Sequence, residues 1–374
     1  MAIWTAAALG LIAALLHVAS IAIAITRCAV RRSLERPRPD APAVSLVRPV
    51  CGLDNYVEDT LRSAFDLDYP RYELIFCVAF AKDPVVPLVE RLIADHPHVR
   101  ARLLIGDERI SDNPKLNNVY KGWRAAAHDW IVVADSNVLM PPDYIQRLLA
   151  AWRPDTGLVC SPPAGCQADG VWAELECAFL NTYQARWQYV VDTLGFGFAQ
   201  GKTMLWKRSD LERLGGIRLL GAEIAEDAAA TKLLRGDGRR VRLVDGPFGQ
   251  PLGRRLAIDV WHRQVRWARI RRATFPLQFL PEVLAGGMMP FACIGIAAAA
   301  ADTSVLAALG AYAGLWYGAE ALLARTAGWP LSWRAPLTWL MRDLLLPVVW
   351  VYGWTGTTFV WRGNAMKAVS GSTP

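Results

Sequence analysis

Asp135 closes the apolar run Ile131-Val132-Val133-Ala134 and is followed by Ser136 and Asn137. A carboxylate at the end of a buried strand suits a hard divalent cation, which takes oxygen ligands and shares them with phosphate oxygens. Asp and Ser ahead of Pro141 equally suit a turn or helix cap. Asn113-Pro114-Lys115-Leu116-Asn117-Asn118 stands at the start of a helical pattern. There Lys115 and the first backbone N–H groups can face a diphosphate, or Asn-Pro simply starts the helix. Glu226-Asp227 opens the helical pattern 227–234. Acidic residues at that place complement the helix dipole, and the same place suits a general base that takes a proton from an attacking hydroxyl. Arg263, Arg266 and Trp267 fall at i, i+3 and i+4 of a helical pattern over 258–272 and share one face. A basic helix lying on a membrane accounts for Arg269, Arg271 and Arg272. A large aromatic inside the cationic face fits better with guanidinium groups clamping a diphosphate beside a stacked ring.

These residues need a framework, and the chain between 43 and 272 supplies one. Apolar runs at 44–47, 74–78, 101–105 and 130–134 alternate with helical patterns at 57–65, 85–95 and 116–128. The alternation predicts parallel βαβ units in an open Rossmann-like sheet, with ligands beyond the carboxyl ends of the strands. The flanks are different. Residues 3–26 are almost purely apolar and reach the ~20 residues a helix needs to cross a bilayer. The stretch is too long, and lacks the basic lead, for a secretory signal. Arg27, Arg31, Arg32, Arg36 and Arg38 follow it, which by the positive-inside bias puts the N-terminus outside and the next segment in the cytoplasm. Apolar blocks at 277–301 and 304–324, joined by Ala301-Asp302-Thr303, predict a transmembrane hairpin. A last block, 344–360, has basic residues on both flanks (Arg342; Arg362 and Lys367). It is expected to span, to re-enter or to lie in the interface anchored by Trp333, Trp339, Trp350 and Trp354. The expected layout is a transmembrane helix at 1–27, a cytoplasmic α/β domain at 40–273 and a membrane region at 274–374.

The composition agrees with that layout: of 374 residues 53% are hydrophobic and only 20% charged, outside the range of ordinary soluble domains. The net charge of +7 lies largely in arginines at the inner edges of the apolar blocks. That distribution argues for anionic lipid and against nucleic acid, which asks for basic runs interleaved with exposed aromatics. No spacing among the seven cysteines suggests a zinc site or a disulfide framework, so reduced thiols are expected.

Taken in order, these motifs resemble family 2-type glycosyltransferase domains, and most specifically the ceramide glucosyltransferase family, family 21. Phe65-Asp66-Leu67-Asp68-Tyr69-Pro70 and Ile75-Phe76-Cys77-Val78, ahead of the Asn-Pro-Lys segment, belong to the same pattern. The resemblance implies a bacterial-type member with a GT-A catalytic domain facing the cytoplasm from the inner membrane, and transmembrane helices at both ends. It implies inverting transfer of glucose from UDP-glucose to the primary hydroxyl of ceramide, with Mg2+ or Mn2+ as cofactor and a UDP-sugar, a lipid acceptor and the bilayer as partners. Asp135 then matches the metal-binding aspartate and Asp227 the catalytic aspartate. Arg263, Arg266 and Trp267 match the Arg/Gln-x-x-Arg-Trp motif, and Lys115 the Asn-Pro-Lys segment on the donor side. The chain departs from the pattern twice. Ala79-Phe80-Ala81-Lys82 stands where an acid usually contacts the nucleotide, leaving Asp83 as the next acid, and Gln184 stands on the acceptor side where animal enzymes carry histidine. Alternatives within the class are a diacylglycerol or hopanoid acceptor and a processive polysaccharide synthase, against which the short membrane part argues. From another class, a catalytically silent membrane scaffold is favoured by Phe80 alone. No oligomeric state is implied.

Overall fold

The computed structural model describes residues 2–29, 40–361 and 364–367; Arg31, Arg32, Arg36, Arg38 and Arg362, on which the topology expectation leans, lie outside them. In chain order the elements are α1 (Ala2–Ala29), β1 (Val44–Pro49), α2 (Val57–Arg62), β2 (Tyr72–Val78), α3 (Val86–Asp95), β3 (Ala101–Ile105), α4 (Pro114–Ala125) and β4 (Trp130–Ala134). There follow α5 (Tyr144–Ala150), β5 (Thr156–Cys160), β6 (Ala164–Asp169), α6 (Val171–Cys177), a π-helix (Ala178–Ala185), α7 (Arg186–Thr193), β7 (Thr203–Lys207), α8 (Arg208–Arg213) and α9 (Glu226–Gly236). Then come β8 (Arg240–Leu243), β9 (Gly249–Arg254), α10 (Ala257–Thr274), α11 (Pro276–Phe279), α12 (Met288–Ala300), α13 (Val305–Ala327), α14 (Ala335–Trp354) and the hairpin strands β10 (Thr358–Trp361) and β11 (Asn364–Lys367). The chain forms two compact units, one from residues 30–167 and 191–253, the other from 1–29, 168–190 and 254–368.

The first unit is built on a seven-stranded sheet in the order β3-β2-β1-β4-β7-β5-β8. β1 pairs in parallel with β2 and β4, β2 with β3, and β5 with β8, while β7 runs antiparallel between β4 and β5. The sheet is therefore mostly parallel, as expected, with one reversed strand inside it. Strands buried on both faces read as continuous apolar runs, and all residues of β1 are buried. The core joins Leu46, Phe76 and Val132 of the strands to Leu61, Val89 and Leu148 of the helices. Chain direction across the sheet reverses at β1 and β4, so the ligand crevice is expected beyond their carboxyl ends. α4 lies tight on this part of the sheet because it presents Gly122. A Cβ there would stand 2.5 Å from Val47 Cγ1 and 2.6 Å from Cys77 Sγ.

Among the described residues of the second unit three helical segments, Trp4–Ala29, Pro276–Ala300 and Val305–Ala327, are long and apolar enough to cross a membrane. α1 packs on α12 and α13. Polar groups help to fix that packing: the His17 ring stacks on Trp316 at 3.7 Å, its Nε2 lies 3.0 Å from the Trp316 carbonyl, and Tyr312 Oη donates to the Gly10 carbonyl at 2.8 Å. The turn between α12 and α13 uses Asp302 at a φ of 53° and Ser304, whose side chain accepts from the Ala307 N–H. α14 packs on α10 and α6. Its Arg342 is buried and reaches both Glu320 oxygens at 2.8 Å, Asp343 Oδ1 at 2.9 Å and Thr182 Oγ1, on the π-helix, at 2.7 Å.

Candidate active site

Strand register assembles the core of the site. β4 and β7 are antiparallel with Ala134 opposite Thr203, which brings the next pair, Asp135 and Lys202, together just beyond the sheet. Asp135 N–H donates to the Lys202 carbonyl at 3.0 Å, and Lys202 Nζ returns to Asp135 Oδ2 at 3.0 Å and to Asn137 Oδ1 at 3.2 Å. The loop after β4 is held from below by Arg48, a wholly buried residue of β1. Its guanidinium donates to the carbonyls of Thr60, Asp135, Ser136 and Val138 at 2.6 to 3.1 Å. Burial lowers the Arg48 pKa to about 10, which leaves it charged at neutral pH.

Lys115 enters from the start of α4. Asn113 caps that helix, accepting from Lys115 N–H at 2.9 Å and Leu116 N–H at 3.2 Å, with Pro114 in the first turn where its missing N–H costs nothing. The helix-start reading of Asn-Pro-Lys is therefore met by this cap. Lys115 Nζ sits 2.7 Å from Asp135 Oδ1, 2.6 Å from Glu226 Oε1 and 2.5 Å from the Gly201 carbonyl. Burial works against its charge, but the carboxylates of Asp135 and Glu226 hold its pKa above the ordinary lysine range. Burial likewise opposes ionisation of Asp135, and Lys115 with Lys202 overcomes it, holding that carboxyl down to about 2.

Glu226 and Asp227 begin α9. Glu226 takes Lys115 on one oxygen and the Asn113 amide, at 2.7 Å, on the other. Asp227 accepts from Gly201 N–H at 2.9 Å and from Ala228 N–H at 2.8 Å, so two backbone amides aim its carboxylate. Burial, reinforced by the negative charge of Glu226, pushes its pKa up to about 6, with Lys115 and the amide bonds opposing. A buried carboxyl that titrates near neutrality is suited to proton transfer. Gly201 is the residue that permits this closeness. A Cβ there would lie 2.9 Å from Glu226 Oε1, 3.2 Å from Lys115 Nζ and 3.3 Å from Asp227 Oδ2.

Asp135, Lys115 and Asp227 thus belong to one cluster, to which the sequence reading did not assign Arg48, Gly201 or Lys202. One signal for Arg48 was present: a single cation inside the apolar run Val44-Ser45-Leu46-Val47-Arg48. Gly201-Lys202 carries no pattern of its own and acquires meaning only from the register of β7. Asp83 is committed to backbone, accepting from Gly52 N–H at 2.9 Å and Val85 N–H at 2.9 Å at the start of α3. Phe80, on the turn after β2, is 66% exposed.

The remaining predicted residues lie in the second unit. Arg263 on α10 ion-pairs with the buried Glu176, which Arg255 approaches to 3.5 Å, and its guanidinium carbon is 6.0 Å from the Trp267 ring centre. Arg266 shares the helix one turn on from Arg263. Gln184, on the π-helix, donates to the Gln264 side chain at 3.2 Å.

Among the described residues no three or more His, Cys, Asp or Glu side chains converge as a metal cage. Asp135 and Asn137 nevertheless already direct two oxygens at one positive charge, the Lys202 ammonium. That donor set fits a cation bound in the manner of Mg2+, by one carboxylate with phosphate and water completing the shell.

Comparison with known proteins bears on the fold and on the family. The fold is similar to that of mannosyltransferase PcManGT from Pyrobaculum calidifontis, solved in complex with GDP-Man and Mn2+, with a TM-score of 0.52 at 19% identity over 90% of this chain and 98% of that one. The architecture is GT-A. Ceramide glucosyltransferase 1 of Caenorhabditis elegans is 27% identical over 342 residues, covering 88% of this chain and 72% of the relative. The ceramide glucosyltransferase of Komagataella phaffii is 30% identical over 300 residues, covering 65% and 59%. The model of one family, Glycosyl transferase family 21, matches residues 12–373, and the chain belongs to that family of glycosyltransferases.

Proposed function

We propose that this glycosyltransferase moves glucose from UDP-glucose to the primary hydroxyl of ceramide, with inversion, giving a β-glucosylceramide. The observation that carries the substrate assignment is the similarity to ceramide glucosyltransferases along 88% of the chain. The setting we propose is a bacterial inner membrane, with residues 40–273 in the cytoplasm and the apolar helices on either side in the bilayer. A two-chain lipid leaves a bilayer only at about 0.8 kcal/mol per exposed CH2, so a membrane-borne enzyme reaches its acceptor where the acceptor resides.

In this reading Asp227 is the general base. Its carboxylate, aimed by Gly201 and Ala228 N–H, takes the proton from the acceptor hydroxyl as that oxygen attacks the anomeric carbon. The bond from that carbon to the UDP oxygen breaks in the same displacement, and the electron pair leaves on the diphosphate. Asp135, with Asn137 beside it, would hold a divalent cation, Mg2+ or Mn2+, whose chemistry is to neutralise the donor diphosphate. Lys115 keeps Asp135 and Glu226 at fixed separation within the cluster. On the family motif, Arg263 and Arg266 are assigned to the charge that develops on the departing diphosphate and Trp267 to stacking against the donor. Gln184 is assigned to the acceptor side and Asp83 to the loop that borders the nucleotide.

The test is transfer by purified protein in lipid-detergent micelles, with UDP-glucose, UDP-galactose and UDP-N-acetylglucosamine each offered to ceramide, diacylglycerol and a hopanoid. Mass and proton NMR analysis of the product is expected to give β-glucosylceramide from the UDP-glucose and ceramide pair. Product from another lipid alone, or an α-linked product, would overturn the assignment.

A further inference from the structure

Lys202 has no part in the reaction as derived so far, yet its ammonium lies where a metal bound by Asp135 would have to compete for the same oxygens. Nζ is 3.0 Å from Asp135 Oδ2 and 3.2 Å from Asn137 Oδ1, while Lys115 covers Asp135 Oδ1 at 2.7 Å. The two lysines differ in exposure. Lys115 is clamped by Asp135, Glu226 and the Gly201 carbonyl, and its side chain is only 10% exposed. Lys202 is twice as open, at 20%, and flanks the glycine through which the cluster is threaded.

Charge balance adds a second argument. Asp135, Glu226 and Asp227 with Lys115, Lys202 and Arg48, whose guanidinium donates to the Asp135 carbonyl, sum to no net charge when all are ionised. A divalent ion alone would leave this partly buried cluster with two positive charges. An ion arriving with a diphosphate that bears two negative charges leaves it neutral. Charges of one sign confined in low dielectric are costly, so the second route is favoured.

We propose that Lys202 is a resident cation that holds Asp135 and Asn137 in the donor-free enzyme and competes with divalent metal for them, so that metal and nucleotide diphosphate enter together. The inference rests on Asp135 being the cation ligand. When the diphosphate is bound, the displaced ammonium has a phosphate oxygen as its new partner, and Lys202 becomes a donor-positioning residue.

The experiment is Mn2+ titration of the purified full-length protein in detergent, followed by the EPR signal of free Mn2+, with and without UDP. Wild type and Lys202→Arg are expected to bind Mn2+ weakly alone and at least about fivefold more tightly with UDP, the lower end of ordinary coupling between ligands. Lys202→Met is expected to bind Mn2+ alone at least about fivefold more tightly than wild type, with the UDP enhancement reduced to match. Lys202→Gln, polar and uncharged though one atom shorter, provides the second neutral variant if the methionine protein melts early. Neutral variants with wild-type Mn2+ affinity, alongside loss of Mn2+ binding in Asp135→Asn, would overturn the role of Lys202 while leaving Asp135 as ligand. Absence of Mn2+ binding in every form, with and without UDP, would overturn both.

Discussion

At the scale of single residues, the account turns on a carboxyl whose proton is lost near neutral pH. Burial and the neighbouring Glu226 raise Asp227 to about 6. A base must be ionised to act, so kcat/KM for the lipid acceptor should fall as pH drops through about 6, following a single protonation, and level off above it. Because the negative charge of Glu226 raises the Asp227 pKa, Glu226→Gln should move that acid limb to lower pH; a limb that stays in place would detach it from Asp227. Gly201→Ala sets a steric test. The added methyl must move Glu226 Oε1 from 2.9 Å and press Lys115 Nζ at 3.2 Å back by a few tenths of an ångström; about 1 Å of misplacement costs roughly a hundredfold, so a smaller fall in kcat, of about tenfold, is expected. The measurement is kcat at saturating donor, with the melting temperature as control for folding. Asp135 and Asp227 were legible in the sequence because each follows an apolar run or opens a helix. Gly201 and Lys202 were not, since a glycine and a lysine before a strand fit any loop and only the antiparallel pairing of Ala134 with Thr203 faces them to the site.

At the scale of elements, the strands β1 to β4 and the helices between them could be read from alternation alone: β1, β2 and β4 are largely buried and nearly continuous apolar runs, and the edge strand β3, only partly buried, still carries Leu103-Leu104-Ile105. The reversal of β7 could not. Its residues, Thr203-Met204-Leu205-Trp206-Lys207, are as apolar as those of a parallel strand, and direction is decided by the connection rather than the run. The π-helix Ala178–Ala185 is equally silent in sequence, because eight residues are too short a run to show an i→i+5 periodicity of their own. Elements also hold the site loop in place. Arg48→Met would take a charged donor from the carbonyls of Thr60 and Ser136, which keep the hydroxyls of Ser63 and Thr60, and would remove the Arg48 bond to the Val138 carbonyl. A buried polar group left unpaired costs about 1–3 kcal/mol, so destabilisation of at least ~1 kcal/mol is expected in denaturant titration, with Lys only partly restoring it. Asn113→Ala removes a helix cap at a cost of about 1 kcal/mol. It also removes the amide bond to Glu226, so its effect on kcat should exceed what that stability loss explains.

At the scale of the whole molecule, the family motif is divided between the two units: Lys115, Asp135 and Asp227 in one, Arg263, Arg266 and Trp267 in the other. The helical unit relies on buried charge as well as apolar packing. Arg342 lies among Glu320, Asp343 and Thr182, all buried. Removing one partner of such a cluster typically costs about 3–5 kcal/mol, whereas neutralising both recovers part of it. Arg342→Met should therefore melt at a clearly lower temperature in detergent than Arg342→Met combined with Glu320→Gln. The central claim, a family 21 glycosyltransferase that works through Asp227 as base, is tested most directly by Asp227→Asn, with UDP-glucose binding and transfer to lipid measured on the same preparation. The account predicts donor binding close to wild type and transfer reduced by about 10²–10⁴-fold, the range for loss of a general base. Transfer at the wild-type rate would contradict it.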